Sequence, residues 1–223
     1  MLPSILLSMG EWIAMARKGT GPKRLDEPTL TAADWAEAAL QLIAEAGLGA
    51  LTVDALAARL GVTKGSFYWH FKGRAELLAT ALGRWEGRVS ETIGGLSAVN
   101  DARQRLRLML EAATQPPRSR SLYAALAEAA GDPVARRVLN RVASARIEYL
   151  EGCYRELGHS PQQAEAKAAF AYAAYRGLLQ LAHEAPAALP ADWSAYSALV
   201  LEALLPATPT KGQVEWKTTR HSG

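Results

Sequence analysis

The chain has 223 residues, 49% of them hydrophobic, 21% charged, and a formal net charge of +3. That length can build one large or two modest domains with a substantial core, and so small a total charge permits a nucleic-acid partner without indicating one, so the local distribution of charge has to decide. One cysteine, Cys153, excludes an intramolecular disulfide framework and argues against a thiolate metal site, which fits a reduced cytoplasmic compartment.

Residues 1–27 lack the periodicity of a folded element. The opening "MLPSILLSMGEWIAMARKGTG" has an apolar stretch, but Glu11 interrupts it and no basic segment precedes it. It is a poor signal peptide and too short to span a bilayer. Met15 is expected to be the physiological start, with residues 1–14 a misassigned upstream extension. From Met15, "MARKGTGPKR" reads as a basic arm loosened by Gly and Pro.

Helical periodicity runs from Thr31 to about Leu205, and abundant Ala, Leu, Glu and Arg match an all-helical protein. Breaks are expected at Gly47–Gly49, Gly61, Gly94–Gly95 and 114–120, then at 130–133, 157–161 and 185–192. Each combines Gly, Pro or a capping residue. The first three helices share a start pattern. Thr31, Thr52 and Thr63 stand as N-caps, with staple pairs Leu30/Trp35, Leu51/Leu56 and Val62/Phe67, and Asp34 at the third position of the first helix. The first helix stripes Trp35, Ala39, Leu42, Ile43 and Ala46. The second stripes Val53, Leu56, Ala57 and Leu60. Gly61 ends the second and the third begins two residues later, which makes a helix-turn-helix of about twenty residues.

The third helix opens badly for a helix and continues as "TKGSFYWHFK". Phe67 and Phe71 are four apart and can share the core beneath Leu42 and Leu56. Successive residues turn by about 100°, so Tyr68, Trp69 and His70 cannot all join them. Lys64 sets a cation at the positive end of the helix dipole, and Gly65 costs up to about 1 kcal/mol of helix propensity. A polyanionic partner reverses these costs, because phosphates favour Lys64 and the helix N-terminus while Gly65 lets backbone approach bases. Ser66 is a short reader, and Tyr68, Trp69 and His70 offer phosphate hydrogen bonds and contact to thymine methyls. Between Thr52 and Arg74 the basic residues Arg59, Lys64, Lys72 and Arg74 face one acid, Asp54.

The stretch "LTVDALAARLGVTKGSFYWHFKGRAELLATAL" (51–82), after the helix at 31–46, resembles the tetracycline-repressor (TetR) family of bacterial regulators. The resemblance covers about residues 28–82, with "YRGLLQLA" (175–182) similar to a late family helix. It implies an all-α protein with an N-terminal three-helix bundle containing the helix-turn-helix (28–74), then a larger helical ligand-binding and dimerisation domain (75–205); the tail at 206–223 lacks an apolar face and is expected to be disordered. The resemblance also implies DNA contacts from Thr52, Thr63, Lys64, Gly65, Ser66, Tyr68, Trp69, His70, Lys72 and Arg74. Function is then expected to be ligand-responsive repression at a palindromic double-stranded operator, in the cytoplasm and without a membrane.

In the second domain a helix starting near Arg74 leads away from the DNA-binding unit. The next helix stripes Leu106, Met109, Leu110 and Ala113. A later one opens on Asp132 and Pro133 and stripes Val134, Val138, Val142, Ala145, Tyr149 and Cys153. The last two helices, about 161–184 and 192–205, are rich in Ala and Leu. Their breadth of apolar surface calls for a cover, from within the subunit or from a partner subunit, and the resemblance makes it a homodimer interface. For a small-molecule effector, Trp85, Met109, Tyr123, Tyr149, Tyr172 and Tyr175 are candidates by composition, with ordinary core packing the competing reading. Arg146 and Arg176 are expected to pair with Glu148 or Glu184 or to reach solvent, with an anionic effector the alternative. His159, His183 and His221 have no metal-ligand spacing, and neither a phosphate loop nor a nucleophile elbow is present, so neither metal, cofactor nor catalytic residue is assigned. Control by a protein partner, or an all-helical enzyme, are the competing functions.

Overall fold

The computed structural model describes residues 30–114, 122–129 and 131–206; the expected N-terminal arm, the Met15 start and the C-terminal tail beyond Pro206 lie outside the described residues. These residues form α1 (Ala32–Ala46), α2 (Val53–Leu60), α3 (Lys64–Tyr68), α4 (Arg74–Ser97), α5 (Ala102–Ala113), α6 (Leu122–Glu128), α7 (Pro133–Glu156), α8 (Pro161–Glu184) and α9 (Trp193–Leu204). Short 3₁₀ turns follow α1 (Leu48–Ala50) and α8 (Pro186–Ala188). The architecture is all-α.

Caps fix the helix starts. At α1 the Thr31 Oγ accepts from Asp34 N at 3.3 Å and the Asp34 carboxylate accepts from Thr31 N at 2.8 Å, a reciprocal box. Those bonds from Thr31 hold the Asp34 carboxyl below its ordinary range. Thr52 caps α2 by accepting from Ala55 N at 3.1 Å, and Asp132 caps α7 with Pro133 behind it. Thr63 departs from the expectation: it occupies the N-cap position of α3, but its hydroxyl makes no capping bond. At the end of α2, Gly61 takes φ +67°, Gly61 N donates to Ala58 O and Val62 N to Ala57 O. This Schellman closure needs a left-handed residue and sets the sharp turn into α3.

Two apolar clusters organise the molecule. The first joins Trp35, Ile43, Leu56, Phe67 and Phe71 of the N-terminal bundle to Leu77, Leu82 and Trp85 of α4, then to Leu122, Tyr123 and Leu126 of α6 and Val138 and Val142 of α7. Phe67 meets Trp35 edge-on at 5.4 Å and lies 5.5 Å from Phe71. The second cluster gathers Leu106, Leu110, Leu150, Cys153, Tyr154, Ala164, Ala168 and Leu204. Burial pushes the Cys153 thiol up, as befits a small core residue.

Several sequence expectations shift. α1 packs against α2, α4 and α6, so Ala36, Ala38, Leu40 and Ala44 are buried beyond the expected stripe, while Ala46 is exposed and Leu42 only half-buried. In α2, Val53 and Leu60 are half-buried; in α5 the same holds for Met109 and Ala113; in α7, for Val134, Ala145 and Tyr149. Gly94 and Gly95 do not break α4, which continues to Ser97. α3 stops at Tyr68, so Phe71 lies beyond it, drawn into the core by the Phe71 N to Phe67 O bond of 3.0 Å. Arg105 is buried on an otherwise apolar face: it donates to the Val99 carbonyl at 2.7 Å and to Glu156 at 2.5 Å, tying the α4–α5 turn to α7.

Candidate nucleic-acid interface and effector pocket

α2 and α3 present one outward surface. Phe67 anchors α3 from beneath, fully buried, and this forces its neighbour outward: Tyr68 is 63% and Trp69 88% exposed. Trp69 is the most exposed of the large apolar side chains here, at a position with no burial to offer it. His70 is half-buried beside Phe71, and Ser66 is half-buried. Thr52, Thr63, Lys64, Gly65 and Lys72 are exposed. The Thr52 Oγ is used as an acceptor in its cap, so its proton is free to donate outward. A Cβ built on Gly65 would meet only Thr63 Oγ, at 3.7 Å, an ordinary contact. The protein's own packing therefore does not require glycine there.

The basic residues are less uniformly outward than their count between Thr52 and Arg74 implies. Arg59 turns back onto α1, with Nη1 and Nη2 on the Glu45 carboxylate at 2.7 and 2.9 Å, and that pairing holds its pKa up. Lys64 pairs with Asp54 at the surface. Arg74 donates Nε to Leu51 O at 2.8 Å and an Nη to Leu48 O at 3.0 Å, so its fork staples the 3₁₀ turn to α4. Glu76 accepts from the Lys72 backbone N at 2.7 Å. Glu45 and Glu76, which lie outside the stretch counted, offset part of the excess. Nothing in the linear pattern marks Arg74 as a structural donor, because its acceptors are main-chain carbonyls 23 and 26 residues away.

The six effector candidates divide. Trp85, Tyr123, Tyr172 and Tyr175 converge where α4, α6, α7 and α8 meet. The Trp85 and Tyr123 rings lie edge-on at 5.8 Å, the Tyr123 and Tyr172 hydroxyls are 2.5 Å apart, and the Tyr172 and Tyr175 rings are 6.3 Å apart. Burial and the bond to Tyr123 push the Tyr172 hydroxyl up. Met109 and Tyr149 lie instead against the second cluster. Arg146 and Arg176 do not pair with Glu148 or Glu184. Glu184 is engaged by Gln180, and both guanidiniums turn to the tyrosine rings. His183 pairs with Glu128 of α6 at 2.8 Å.

A helix-turn-helix within a three-helix bundle, followed by a larger all-helical unit, is an architecture that can offer its short second helix to the DNA major groove. Residues 36–81 match the family described as bacterial regulatory proteins, tetR family. The HTH-type transcriptional regulator SrpR of Pseudomonas putida is 41% identical over 46 residues, 21% of this chain and 22% of that protein, so the match spans under a quarter of the relative's length. A transcriptional regulator from Rhodococcus sp. Rha1 superposes with a TM-score of 0.64 at 22% identity, covering 80% of this chain and all of that one. A putative transcriptional regulator from Saccharomonospora viridis, solved in complex with choline, gives 0.62 at 20%, covering 77% and 93%. Residues 36–81 thus resemble the DNA-binding segment of that family, and the described fold as a whole resembles that of the solved regulators. No helix among the described residues is long and apolar enough to cross a membrane, and none of their His, Cys, Asp and Glu side chains cluster as a metal site.

Proposed function

We propose that the protein is a sequence-specific transcriptional regulator that binds a palindromic DNA operator as a homodimer and yields it in response to a small molecule. The exposure of Tyr68 and Trp69 beside Lys64, Gly65 and Ser66 carries this reading. Two large planar side chains held out in water gain nothing from folding, whereas against a duplex their polar atoms and faces meet phosphates and thymine methyls. Thr52, Thr63, His70 and Lys72 supply further contacts around them. Lys64 exchanges Asp54 for a phosphate when DNA arrives. Arg74 contributes by holding α4 to the bundle.

Support for the dimer comes from α8 and α9. Along α8, Ala166, Ala169, Phe170, Ala173, Gly177 and Leu181 recur at helical spacing and are all exposed; on α9, Leu199 is 63% exposed. A stripe of this kind is covered most economically by its own copy, and a two-fold pair presents two α3 helices to two half-sites.

Selection from random duplexes tests the proposal. The wild type should enrich an inverted repeat, and the double variant Lys64→Ala, Tyr68→Ala should bind that repeat at least tenfold more weakly with an unchanged circular dichroism spectrum. Enrichment of no sequence, or unchanged binding by the variant, contradicts it.

A further inference from the structure

Arg146 of α7 and Arg176 of α8 converge on one aromatic ring. The guanidinium carbon of Arg176 stands 3.9 Å from the centroid of Tyr123, and that of Arg146 stands 5.8 Å from the same centroid and 5.5 Å from Tyr175. Neither pairs with a carboxylate among the described residues. One Nη of Arg146 is sealed from water with no hydrogen-bond acceptor, and so is the indole Nε1 of Trp85, which packs on Tyr123. The Tyr123–Tyr172 contact uses one of two phenolic protons and leaves the other to donate elsewhere. The cluster thus holds two cations and surplus donors, with no carboxylate paired to either cation among the described residues.

Folding alone gives little reason for this. Two like charges at one ring repel each other, a buried guanidinium N–H without an acceptor is costly, and cation–π contact recovers only part of that. We infer that Arg146 and Arg176, with Tyr123, Tyr172 and Tyr175 as walls and Trp85 behind, form the binding site for a small organic carboxylate with an apolar or aromatic body. Planar forks suit a carboxylate in two-point geometry, and the rings cover the remainder of such a molecule. A cation such as choline is disfavoured by both arginines.

The site also has a route to the DNA-binding unit. Tyr123 sits on α6, and α6 packs against α1 as well as α7 and α8. A carboxylate that draws the two guanidiniums inward bears on α6 and through it on α1, the helix carrying Trp35 beneath Phe67. This last step rests on the regulatory reading proposed above; occupancy of the site does not.

Isothermal titration and thermal melting of the full-length protein, without DNA, test it with sodium benzoate and sodium decanoate as probes, against benzamide and choline chloride. At least one carboxylate should bind tenfold or more tightly than both controls. Arg146→Met and Arg176→Met should each weaken that binding at least tenfold and leave the melting temperature of the ligand-free protein unchanged or raised, because an unmatched charge has gone. Equal binding of carboxylate and amide, or variants that melt lower while binding the carboxylate as well as the wild type does, would overturn the site and make the arginines packing elements. If the wild type then binds no DNA duplex at all, the regulatory reading fails while the anion result stands.

Discussion

Gly65 is the residue at which folding and binding pull apart. Its place in the second position of a five-residue helix costs helix propensity, yet a methyl group there would meet nothing closer than 3.7 Å. Gly65→Ala should therefore leave the protein as stable as the wild type or more stable, by up to about 1 kcal/mol, measured by chemical denaturation. Its operator affinity should fall, read by gel shift, because the added methyl stands where the backbone approaches the bases. A variant that loses stability would show that glycine serves the fold instead. Trp69, with no burial to lose, belongs to the same class. Phe67, one position before Tyr68, belongs to the opposite one, since Trp35 and Phe71 enclose it.

At the scale of elements, α9 is held by long-range polar contacts. The Tyr154 hydroxyl, buried in α7, donates to the Leu204 carbonyl at 2.9 Å, and Thr114 bonds Ser197 at 2.9 Å. Tyr154→Phe leaves that carbonyl unmet and should cost about 1–3 kcal/mol, checked by urea denaturation. Burial pushes the Tyr154 hydroxyl from 10.0 to about 12. The folded state holds the proton more tightly than the unfolded one, so this stabilisation is complete below pH 10 and is lost as pH rises toward 12. Tyr149, also pushed up to about 12 by burial, titrates in the same window, so the variant should retain part of the alkaline loss and differ from the wild type by one tyrosine's share. A difference between the two curves that does not change across that window would refute the assignment.

Helix starts were legible in the sequence because caps are local: Thr31, Thr52 and Asp132 each bond within three residues. The outward turn of Tyr68 and Trp69 was legible too, since geometry forbids five consecutive large side chains one face. Less legible were features decided across the fold. Whether Thr63 caps, where α3 ends, and that Gly94 and Gly95 stay helical depend on neighbouring elements. The roles of Arg59, Arg74 and Arg105 depend on partners that include residues 14, 26 and 51 positions away, in that order. The convergence of Arg146 and Arg176 on Tyr123 has the same origin, because three helices bring those residues together.

For the whole molecule, one continuous core runs from Trp35 through α4 to α6 and α7, so the bundle proposed to bind DNA and the proposed effector site share packed side chains. That continuity gives a bound ligand a physical means of shifting the orientation of α3. The apolar stripe on α8 and α9 sets the other global property. Phe170→Glu combined with Leu199→Glu should convert a dimer into a folded monomer by light scattering, and should weaken operator binding by two orders of magnitude or more, since the half-sites are no longer engaged together. A wild type that is monomeric at micromolar concentration would remove the dimer from the account.

The most direct test of the central claim, that the surface around Ser66 lies against DNA, is the salt dependence of operator affinity in wild type and Lys64→Ala. The account predicts a steep linear fall of log affinity with log salt, with the slope reduced by about one for each Lys64 removed, hence by about two per dimer. Affinity insensitive to salt, or identical slopes for the two proteins, would contradict it.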